Sequence, residues 1–285
     1  MLNESFVTTN QIKLHVVSDG PPDGPLVVLL HGFPEHWRSW QHQIPVLAEA
    51  GYHVVAPDQR GYNLSDKPPH VRDYGLDELT RDIAGLIDAL GQKEALIVSH
   101  DWGGAVGYRF AMDYPQRTRK LVVMNSPHPV AMARELKTFR QASKSWYIGF
   151  FQIPWLPEAI FRLGPDHWAR VFFRGAAVNK QAFSDADLRE MAQASAQPGA
   201  MRSMINWYRA AIRYPPKNPP SKIAAPTLII WAEDDVALGK PLTLGMEPWF
   251  GPDYRIVYIP HCGHWVQNEA ADQVNRLLLE FLGKG

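Results

Sequence analysis

Short runs of apolar residues alternate with segments of helical periodicity through the first half of the chain. Leu79, Ile83 and Leu86 recur at helical spacing before Gly91, which predicts a helix that ends at this glycine. A further helix is predicted over Ala105–Asp113. The apolar runs have the length and composition of strands, and a short polar turn joins the first two as in a hairpin. The predicted strands are Ser5–Thr9, Ile12–Val17, Pro25–Leu30, His53–Ala56, Ala95–Ser99 and Lys120–Met124.

The pattern changes over residues 129–219. Here helical stretches are interrupted by prolines and contain many aromatic residues, without clear parallel strands. The run Pro-Pro-Lys-Asn-Pro-Pro at 215–220 predicts a stiff linker, because proline cannot continue a helix. The alternation of strand and helix then resumes with Pro226–Trp231, Tyr254–Ile259 and a closing helix over Glu269–Leu282.

Together these patterns predict an α/β fold with a mostly parallel central sheet flanked by helices. Residues 1–128 and 220–285 are expected to form the core domain, and residues 129–219 a helical lid inserted into it. The chain has 285 residues, of which 46% are hydrophobic and 20% charged, so it has enough apolar side chains to bury such a core.

The charge balance argues against polyanionic partners. There are 29 Lys and Arg and 29 Asp and Glu, which gives a formal net charge of zero, so neither nucleic acid nor a membrane surface is an expected partner. No apolar run approaches the length of a membrane span, and the first ten residues lack a signal-peptide pattern. The single cysteine, Cys262, cannot form an internal disulfide, which is typical of a reducing compartment. The chain is therefore predicted to be cytoplasmic.

Polar clusters follow four of the predicted strands. In an open α/β sheet, ligand sites form at the carboxyl ends of the strands, so these clusters are the candidates for a functional site. They are His31-Gly32-Phe33-Pro34, His100-Asp101-Trp102-Gly103-Gly104, Glu233-Asp234-Asp235 and His261-Cys262-Gly263-His264.

Asp101 occupies the tip of a tight turn from strand to helix. Small residues flank it, Gly103 and Gly104 among them, as in a nucleophile elbow. An aspartate that caps the following helix is the alternative interpretation, because Asp is a common N-cap residue. The chain order favours catalysis: an acid, Asp235, follows a later strand, and a histidine, His264, follows the last one.

Several longer motifs make the pattern more specific, and together they extend over nearly the full length of the chain. They are His31-Gly32-Phe33-Pro34-Glu35, Asp58-Gln59-Arg60-Gly61-Tyr62-Asn63-Leu64-Ser65, His100-Asp101-Trp102-Gly103, Asn206-Trp207-Tyr208-Arg209 and Gly263-His264. In these motifs the chain resembles the α/β-hydrolase superfamily and, within it, the soluble epoxide hydrolases of bacterial type.

The resemblance implies an α/β-hydrolase fold with a helical lid, and an epoxide hydrolase that converts an apolar epoxide to a vicinal diol. Its partners would be a small-molecule epoxide and water, with no cofactor. The physiological role would be detoxification or catabolism of epoxides, and both a monomer and a homodimer remain open.

The resemblance also implies a covalent mechanism with Asp101 as nucleophile. A carboxylate with a pKa of about 4 is ionised at pH 7, so Asp101 can form an alkyl ester without help from a base. His264 would then activate the water that cleaves the ester, and Asp235 would orient the imidazole. The backbone N–H groups of Phe33 and Trp102 are expected to form the oxyanion hole.

Two neighbouring residues compete for the roles of acid and base. Asp234 adjoins Asp235, but the acid of the family lies three residues after the position that Ala232 fills, which favours Asp235. His261 competes with His264, but the family pattern has a glycine directly before the catalytic histidine and an aromatic residue after it, which favours His264.

Two lid tyrosines are implied by the same resemblance, and they would hold the epoxide oxygen. Tyr208 lies in the motif Asn-Trp-Tyr-Arg, and Tyr147 lies in the aromatic segment Trp146–Gln152. Ordinary packing of the lid is the alternative for both, because tyrosine is often half-buried in this way. The aromatic residues expected to line an apolar pocket, again with lid packing as the alternative, are Trp146, Phe150, Phe151 and Trp155.

Other functions make different demands on the sequence. A haloalkane dehalogenase shares the aspartate and the following tryptophan, but many of those enzymes bind halide with an asparagine where this chain has Phe33. Fluoroacetate dehalogenases carry arginine at the position of Trp102. A serine esterase is disfavoured because Ser99 lies two residues from the tip of the turn, and a ligand receptor because all three triad residues are present. The histidines lack metal-ligand spacing, so neither a metal nor a cofactor is expected.

Overall fold

The computed structural model describes residues 2–283, and its central feature is an eight-stranded sheet. The strand order is β1-β2-β4-β3-β5-β6-β7-β8. The six strands from β4 to β8 in this order run parallel, whereas β2 pairs antiparallel with β4 and with β1. The predicted α/β class is therefore confirmed. The strands, β1 to β8 in chain order, are Asn3–Thr9, Ile12–Asp19, Leu26–Leu30, His53–Pro57, Ala95–His100, Thr118–Met124, Thr227–Ala232 and Tyr254–Ile259.

The apolar runs become central strands because helices cover both faces of the sheet. In β3, Val28 belongs to one hydrophobic cluster, whereas Val27 and Leu29 belong to another on the opposite face. This alternation follows from the two-residue period of a strand. Both clusters exclude water, so the strand carries apolar side chains at successive positions.

The first three helices accompany the sheet: α1 at Ile44–Glu49, α2 at Leu76–Ala89 and α3 at Asp101–Asp113. The start of α3 differs from the prediction of Ala105. Because Asp101 has a positive φ of 47°, the chain reverses at a single residue and the helix begins directly after β5.

Between β6 and β7 the chain forms a helical insertion that begins with α4 at Pro129. One turn, Arg170–Gly175, is π-helical. The helices α4 to α10 are Pro129–Glu135, Phe139–Lys144, Trp146–Phe150, Leu156–Arg162, Pro165–Ala169, Asp185–Ala196 and Ala200–Arg213. Most of the insertion's buried apolar side chains join the core cluster on one face of the sheet, and a smaller cluster forms within it around Phe173 and Phe183.

The closing helix is divided in two. Helix α11 spans Val266–Glu269 and α12 spans Ala271–Leu282, with a break at Ala270, whose φ of −126° and ψ of 40° are not helical. The prediction of one helix over Glu269–Leu282 is therefore wrong at its start, and Glu269 ends the shorter helix. Short 3-10 turns occur at Trp37–Trp40, Val71–Tyr74, Pro115–Arg117, Lys180–Ala182, Lys240–Thr243 and Glu247–Trp249.

None of the helices within residues 2–283 is long and apolar enough to cross a membrane.

Candidate active site

The turn between β5 and α3 holds Asp101 at its tip. His100 occupies the N-cap position and Asp101 is the first helical residue, in a left-handed conformation that is strained for a residue with a side chain. The turn is possible only with small neighbours, because a Cβ on Gly103 would lie 2.1 Å from the carbonyl oxygen of Leu30. The alternative of a capping aspartate does not describe this geometry.

The Asp101 carboxylate points to the loop after β3. The backbone N–H of Phe33 donates to its Oδ1 over 2.8 Å. Trp102 is the second residue of α3, so its N–H is one of the N-terminal donors that have no acceptor within a helix. Both N–H groups that the sequence predicts for an oxyanion hole therefore belong to residues beside this carboxylate.

His264 lies on the opposite side of the carboxylate. Its Nε2 is 3.7 Å from Oδ2 of Asp101, and its Nδ1 is 2.7 Å from Oδ2 of Asp235. Burial lowers the pKa of His264, but the charge and hydrogen bond of Asp235, with a smaller contribution from Asp101, outweigh burial and raise the pKa to about 9. The three triad candidates thus converge from the ends of three different strands.

Asp235 is held rigidly beneath the histidine. The N–H groups of Ala237 and Leu238 donate to its Oδ1 over 2.7 and 2.9 Å, and Nδ2 of Asn125 donates to its Oδ2 over 2.8 Å. Burial raises the pKa of Asp235, but the neighbouring His264 and these donors outweigh it, so that the pKa is lowered. The carboxylate therefore stays ionised.

The structure separates the competing residues from this arrangement. His261 is 94% exposed, and its Nδ1 lies 4.0 Å from Oδ2 of Asp234, whose side chain is 52% exposed. The acid that reaches the buried His264 imidazole is Asp235.

Tyr147 and Tyr208 of the helical insertion pack beside residues next to Asp101 and beside each other. The rings of Tyr147 and Tyr208 are 5.9 Å apart, and the Tyr208 ring lies 4.9 Å from Trp102 and 5.2 Å from Phe33. Burial, and then the negative charge of Asp101, raise the pKa of both phenols well above the usual value. Each phenol therefore stays protonated and can donate a hydrogen bond.

The four aromatic residues predicted to line a pocket fall into two groups. Phe151 is buried, with its ring 4.8 Å from Tyr208 and 5.5 Å from Phe33, and the half-buried Phe150 lies beside it. Trp146 and Trp155 are 67% and 83% exposed. A pocket role for these two tryptophans does not fit the structure, because their side chains face solvent.

Two residues near the site were missed by the sequence reasoning. Asn125 follows β6 and binds Asp235, and its place at the carboxyl end of a central strand was a usable signal. Phe172, whose ring lies 5.8 Å from Phe33, comes from the π-helical turn and had no sequence signal.

A buried histidine–glutamate pair connects the loop after β3 to the loop that carries His264. Nδ1 of His100 lies 2.7 Å from Oε2 of Glu35, which also accepts a 2.7 Å bond from the N–H of Gly32. Burial raises the pKa of Glu35, but the charge of His100 and the hydrogen bonds outweigh it and lower the pKa to about 2. Nε2 of His100 donates to the carbonyl of His264 over 2.9 Å, so this pair holds the backbone at the histidine.

No group of three or more His, Cys, Asp or Glu side chains in the described part of the chain is arranged to hold a metal ion.

Residues 25–271 match a family model described as alpha/beta hydrolase fold. The chain is 41% identical to the AB hydrolase superfamily protein YfhM of Bacillus subtilis over 97% of this chain and 96% of the relative. It is 36% identical to epoxide hydrolase 1 of Caenorhabditis elegans over 98% of this chain and 70% of the relative.

Among solved structures, too, the chain is similar to epoxide hydrolases. A crystal structure of a point mutant of an epoxide hydrolase from Bacillus megaterium superposes with a TM-score of 0.90 at 30% identity, over 98% of this chain and all of that one.

Proposed function

Because this chain belongs to the epoxide hydrolases of the α/β-hydrolase fold, we propose that it opens an apolar epoxide to a vicinal diol through an ester on Asp101. One observation carries the mechanism. The Asp101 carboxylate lies beside a buried histidine–aspartate pair, and its charge helps to raise the pKa of the two phenols, Tyr147 and Tyr208, so that both stay protonated. A nucleophile, a base for water and acids for a leaving oxygen are the groups that this reaction needs.

In the first step, an oxygen of Asp101 attacks one carbon of the epoxide. A C–O bond forms to the carboxylate as the ring C–O bond breaks, and the ring oxygen carries away the electron pair of the broken bond. Tyr147 and Tyr208 donate hydrogen bonds to this oxygen, and one of them transfers its proton. The high pKa values of both phenols keep the proton available until the alkoxide forms.

In the second step, His264 removes a proton from water and the resulting hydroxide attacks the carbonyl carbon of the ester. The N–H of Phe33, which donates to Oδ1 of Asp101, and the N–H of Trp102 stabilise the oxyanion. Collapse of this intermediate breaks the ester C–O bond, and the leaving alkoxide takes the proton from the His264 imidazolium, which completes the diol. The remaining proton of the water passes to the phenolate, so that the Asp101 carboxylate, the neutral imidazole and the tyrosine are all restored. Asp235 fixes the Nδ1–H tautomer of His264 and stabilises its charged form.

The helical insertion, residues 129–219 in the sequence prediction, acts as the lid in this proposal. Around the two phenols its side chains are apolar: Phe151 lies 5.9 Å from Tyr147, and Phe150 lies beside Phe151. Such surroundings suit an epoxide with aryl or alkyl substituents, since an apolar wall offers little to a charged one.

The cellular setting also stays a prediction. A cytoplasmic location is supported by the single buried cysteine, Cys262. Detoxification or catabolism of epoxides would follow from the reaction itself.

The test uses a His264→Gln variant, in which the base is lost and the ester should accumulate. The variant is mixed with a phenyl-substituted epoxide and, separately, with a primary alkyl bromide, and followed by intact-protein mass spectrometry with peptide mapping. A hydroxyalkyl adduct on Asp101 from the epoxide, without an adduct from the bromide, supports the proposal.

The matched control is His261→Gln, because this exposed histidine stands outside the site. It should turn over without accumulating ester. An adduct from the bromide alone would identify a haloalkane dehalogenase and reduce both tyrosines to packing residues. A folded variant that gives no adduct with any epoxide would contradict the covalent mechanism.

A further inference from the structure

The carboxylate of Glu269 joins the loop that carries His264 to the helical insertion. Its Oε2 accepts hydrogen bonds from the N–H groups of Val178 and Asn179 over 2.7 and 2.9 Å, and from Gly263 over 3.1 Å. Its Oε1 accepts from the N–H of Trp265 over 3.2 Å. Two of the four donors therefore belong to the insertion, and the other two are the residues on either side of the histidine.

Trp265 makes a second connection across the same boundary. Its indole N–H donates to the carbonyl of Phe172, in the π-helical turn, over 3.1 Å. Its ring lies 4.7 Å from Phe173 of the insertion and 4.7 Å from the imidazole of His264. Among residues 2–283, Trp265 is also the one residue outside the insertion in the buried cluster around Phe173 and Phe183. The residue after the histidine is thus part of the lid's own core.

The close approach of the two segments depends on a glycine. A Cβ on Gly263 would lie 2.7 Å from Oε1 of Glu269, 2.8 Å from the carbonyl oxygen of Ala176 and 3.0 Å from the nitrogen of Val178. Any side chain here would push the insertion away from the histidine loop, because two of these atoms belong to the backbone.

We infer that Glu269 and Trp265 form a latch through which the lid sets the position of the His264 imidazole. The inference rests on the proposed function, since His264 matters there only for cleavage of the ester. Glu269 is a positioning residue in this role, because it contacts neither Asp101 nor the imidazole. Its four hydrogen bonds are charge-assisted, and they hold the backbone immediately before and after the histidine.

The latch acts on one step of the reaction. Ester formation uses Asp101 and the two tyrosines, whereas ester hydrolysis also needs His264 within reach of a water on the ester. A displacement of about 1 Å costs on the order of 100-fold in a step that depends on alignment. Loss of the latch should therefore slow hydrolysis and leave ester formation nearly unchanged.

The experiment measures both steps in single turnovers with a phenyl-substituted epoxide, by rapid quenching and intact-protein mass spectrometry. In Glu269→Ala we expect ester hydrolysis to slow by at least about tenfold and ester formation to change less than about twofold. Glu269→Gln should lie between Glu269→Ala and the wild type, because the amide oxygen can still accept from the insertion while its NH2 group cannot accept from Trp265.

The matched control is Glu190→Gln. Glu190 pairs with Arg38 over 3.0 Å, so it also joins the insertion to the core domain, but at a site away from the histidine loop. This variant should keep both rates. A loss of hydrolysis in Glu190→Gln equal to that in Glu269→Ala would overturn the latch in favour of general lid attachment.

A second variant keeps the inference testable if Glu269→Ala does not fold. Gly263→Ala retains the carboxylate but forces the segments apart, and it should slow hydrolysis in the same selective way. Wild-type hydrolysis rates in folded Glu269 and Gly263 variants, or equal losses in both steps, would overturn the latch. Failure of the proposed function is distinguishable, because then the His264→Gln protein would form no ester either.

Discussion

Nε2 of His264 lies 3.7 Å from Oδ2 of Asp101. This separation exceeds that of an N–H···O hydrogen bond, so the imidazole does not occupy the lone pairs of the carboxylate. Asp101 is thereby left free to reach a substrate carbon. The histidine stays close enough to act, through a water molecule, on an ester formed at the same oxygen. The geometry thus suits a sequence of two steps more than a single concerted step.

Replacement of Asp235 by Asn should stop the reaction after the ester forms. A neutral amide does not hold the Nδ1–H of His264 as a carboxylate does. The imidazole is then no longer fixed in the Nδ1–H tautomer, and its charged form loses the neighbouring negative charge. We expect ester hydrolysis to slow by about 10³- to 10⁴-fold. Steady-state turnover and the fraction of esterified enzyme measure this. Asp234→Asn is the control, since this side chain lies 52% exposed beside His261 and should leave both unchanged.

Removal of the tyrosine hydroxyls should slow the first step, ester formation, because the leaving oxygen of an epoxide needs a proton donor. In Tyr208→Phe or Tyr147→Phe we expect ester formation from an epoxide to slow by about 100-fold, because the alkoxide loses a proton donor. The rate constant of ester formation in single turnovers measures this effect.

Tyr62→Phe is the matched control for the tyrosine variants. Tyr62 is buried, and its hydroxyl has no hydrogen-bond partner in the part of the chain that the structure describes, so loss of this hydroxyl should be tolerated. Turnover at the wild-type rate in the double variant lacking Tyr147 and Tyr208 would contradict a role for these phenols.

The pH dependence of ester hydrolysis should follow the deprotonation of His264. The imidazole acts as a base only when neutral, and in the free enzyme its pKa is raised to about 9, since the charge of Asp235 outweighs burial. The charge of Asp101 also contributes to this raised pKa, so esterification of Asp101, which removes that charge, lowers the pKa of His264. The hydrolysis rate should therefore increase with pH and level off below about pH 9. A single-turnover pH profile that falls as the pH rises would contradict His264 as the base.

Arg209 should hold together the two segments of the insertion that carry the tyrosines. Its guanidinium pairs with Glu158 over 2.5 Å and donates to the carbonyls of Phe151 and Ile153 over 2.9 and 2.8 Å. Arg209→Met would leave Glu158 largely buried without its partner, so we expect the free energy of unfolding to fall by about 3 kcal/mol. Chemical denaturation measures this.

The control for Arg209 is Arg81→Met. Arg81 pairs with Glu78 on an exposed helix face, where an ion pair contributes less than about 1 kcal/mol. An equal decrease in the free energy of unfolding in both variants would show that the buried Arg209–Glu158 pair stabilises the fold no more than the exposed pair does.

The bounds of the central strands were predicted closely, because a strand buried on both faces is a continuous apolar run that can be recognised from neighbouring residues. Leu26–Leu30 and Ala95–His100 are apolar because both faces of the sheet are covered, and such runs are legible in the chain itself. Helix boundaries were less accurate. The start of α3 depends on the positive φ of Asp101, and the break at Ala270 separates α11 from α12.

The two exposed tryptophans illustrate the limit of local patterns. Trp146 and Phe151 lie in one aromatic segment, yet the former is 67% exposed and the latter is buried. Which of them faces the site depends on the packing of the insertion against Phe33 and Tyr208, which are distant in sequence.

By itself the sequence determined the α/β class and the chain order of Asp101, Asp235 and His264, because strand-end motifs and apolar runs are local in the chain. The tertiary structure alone decided that Asp235 reaches the imidazole and that Glu269 binds backbone groups of both the insertion and the histidine loop. The contact of Asp235 with His264 and that of Glu269 with Val178 join residues 29 and 91 positions apart, and only long-range packing brings such residues together.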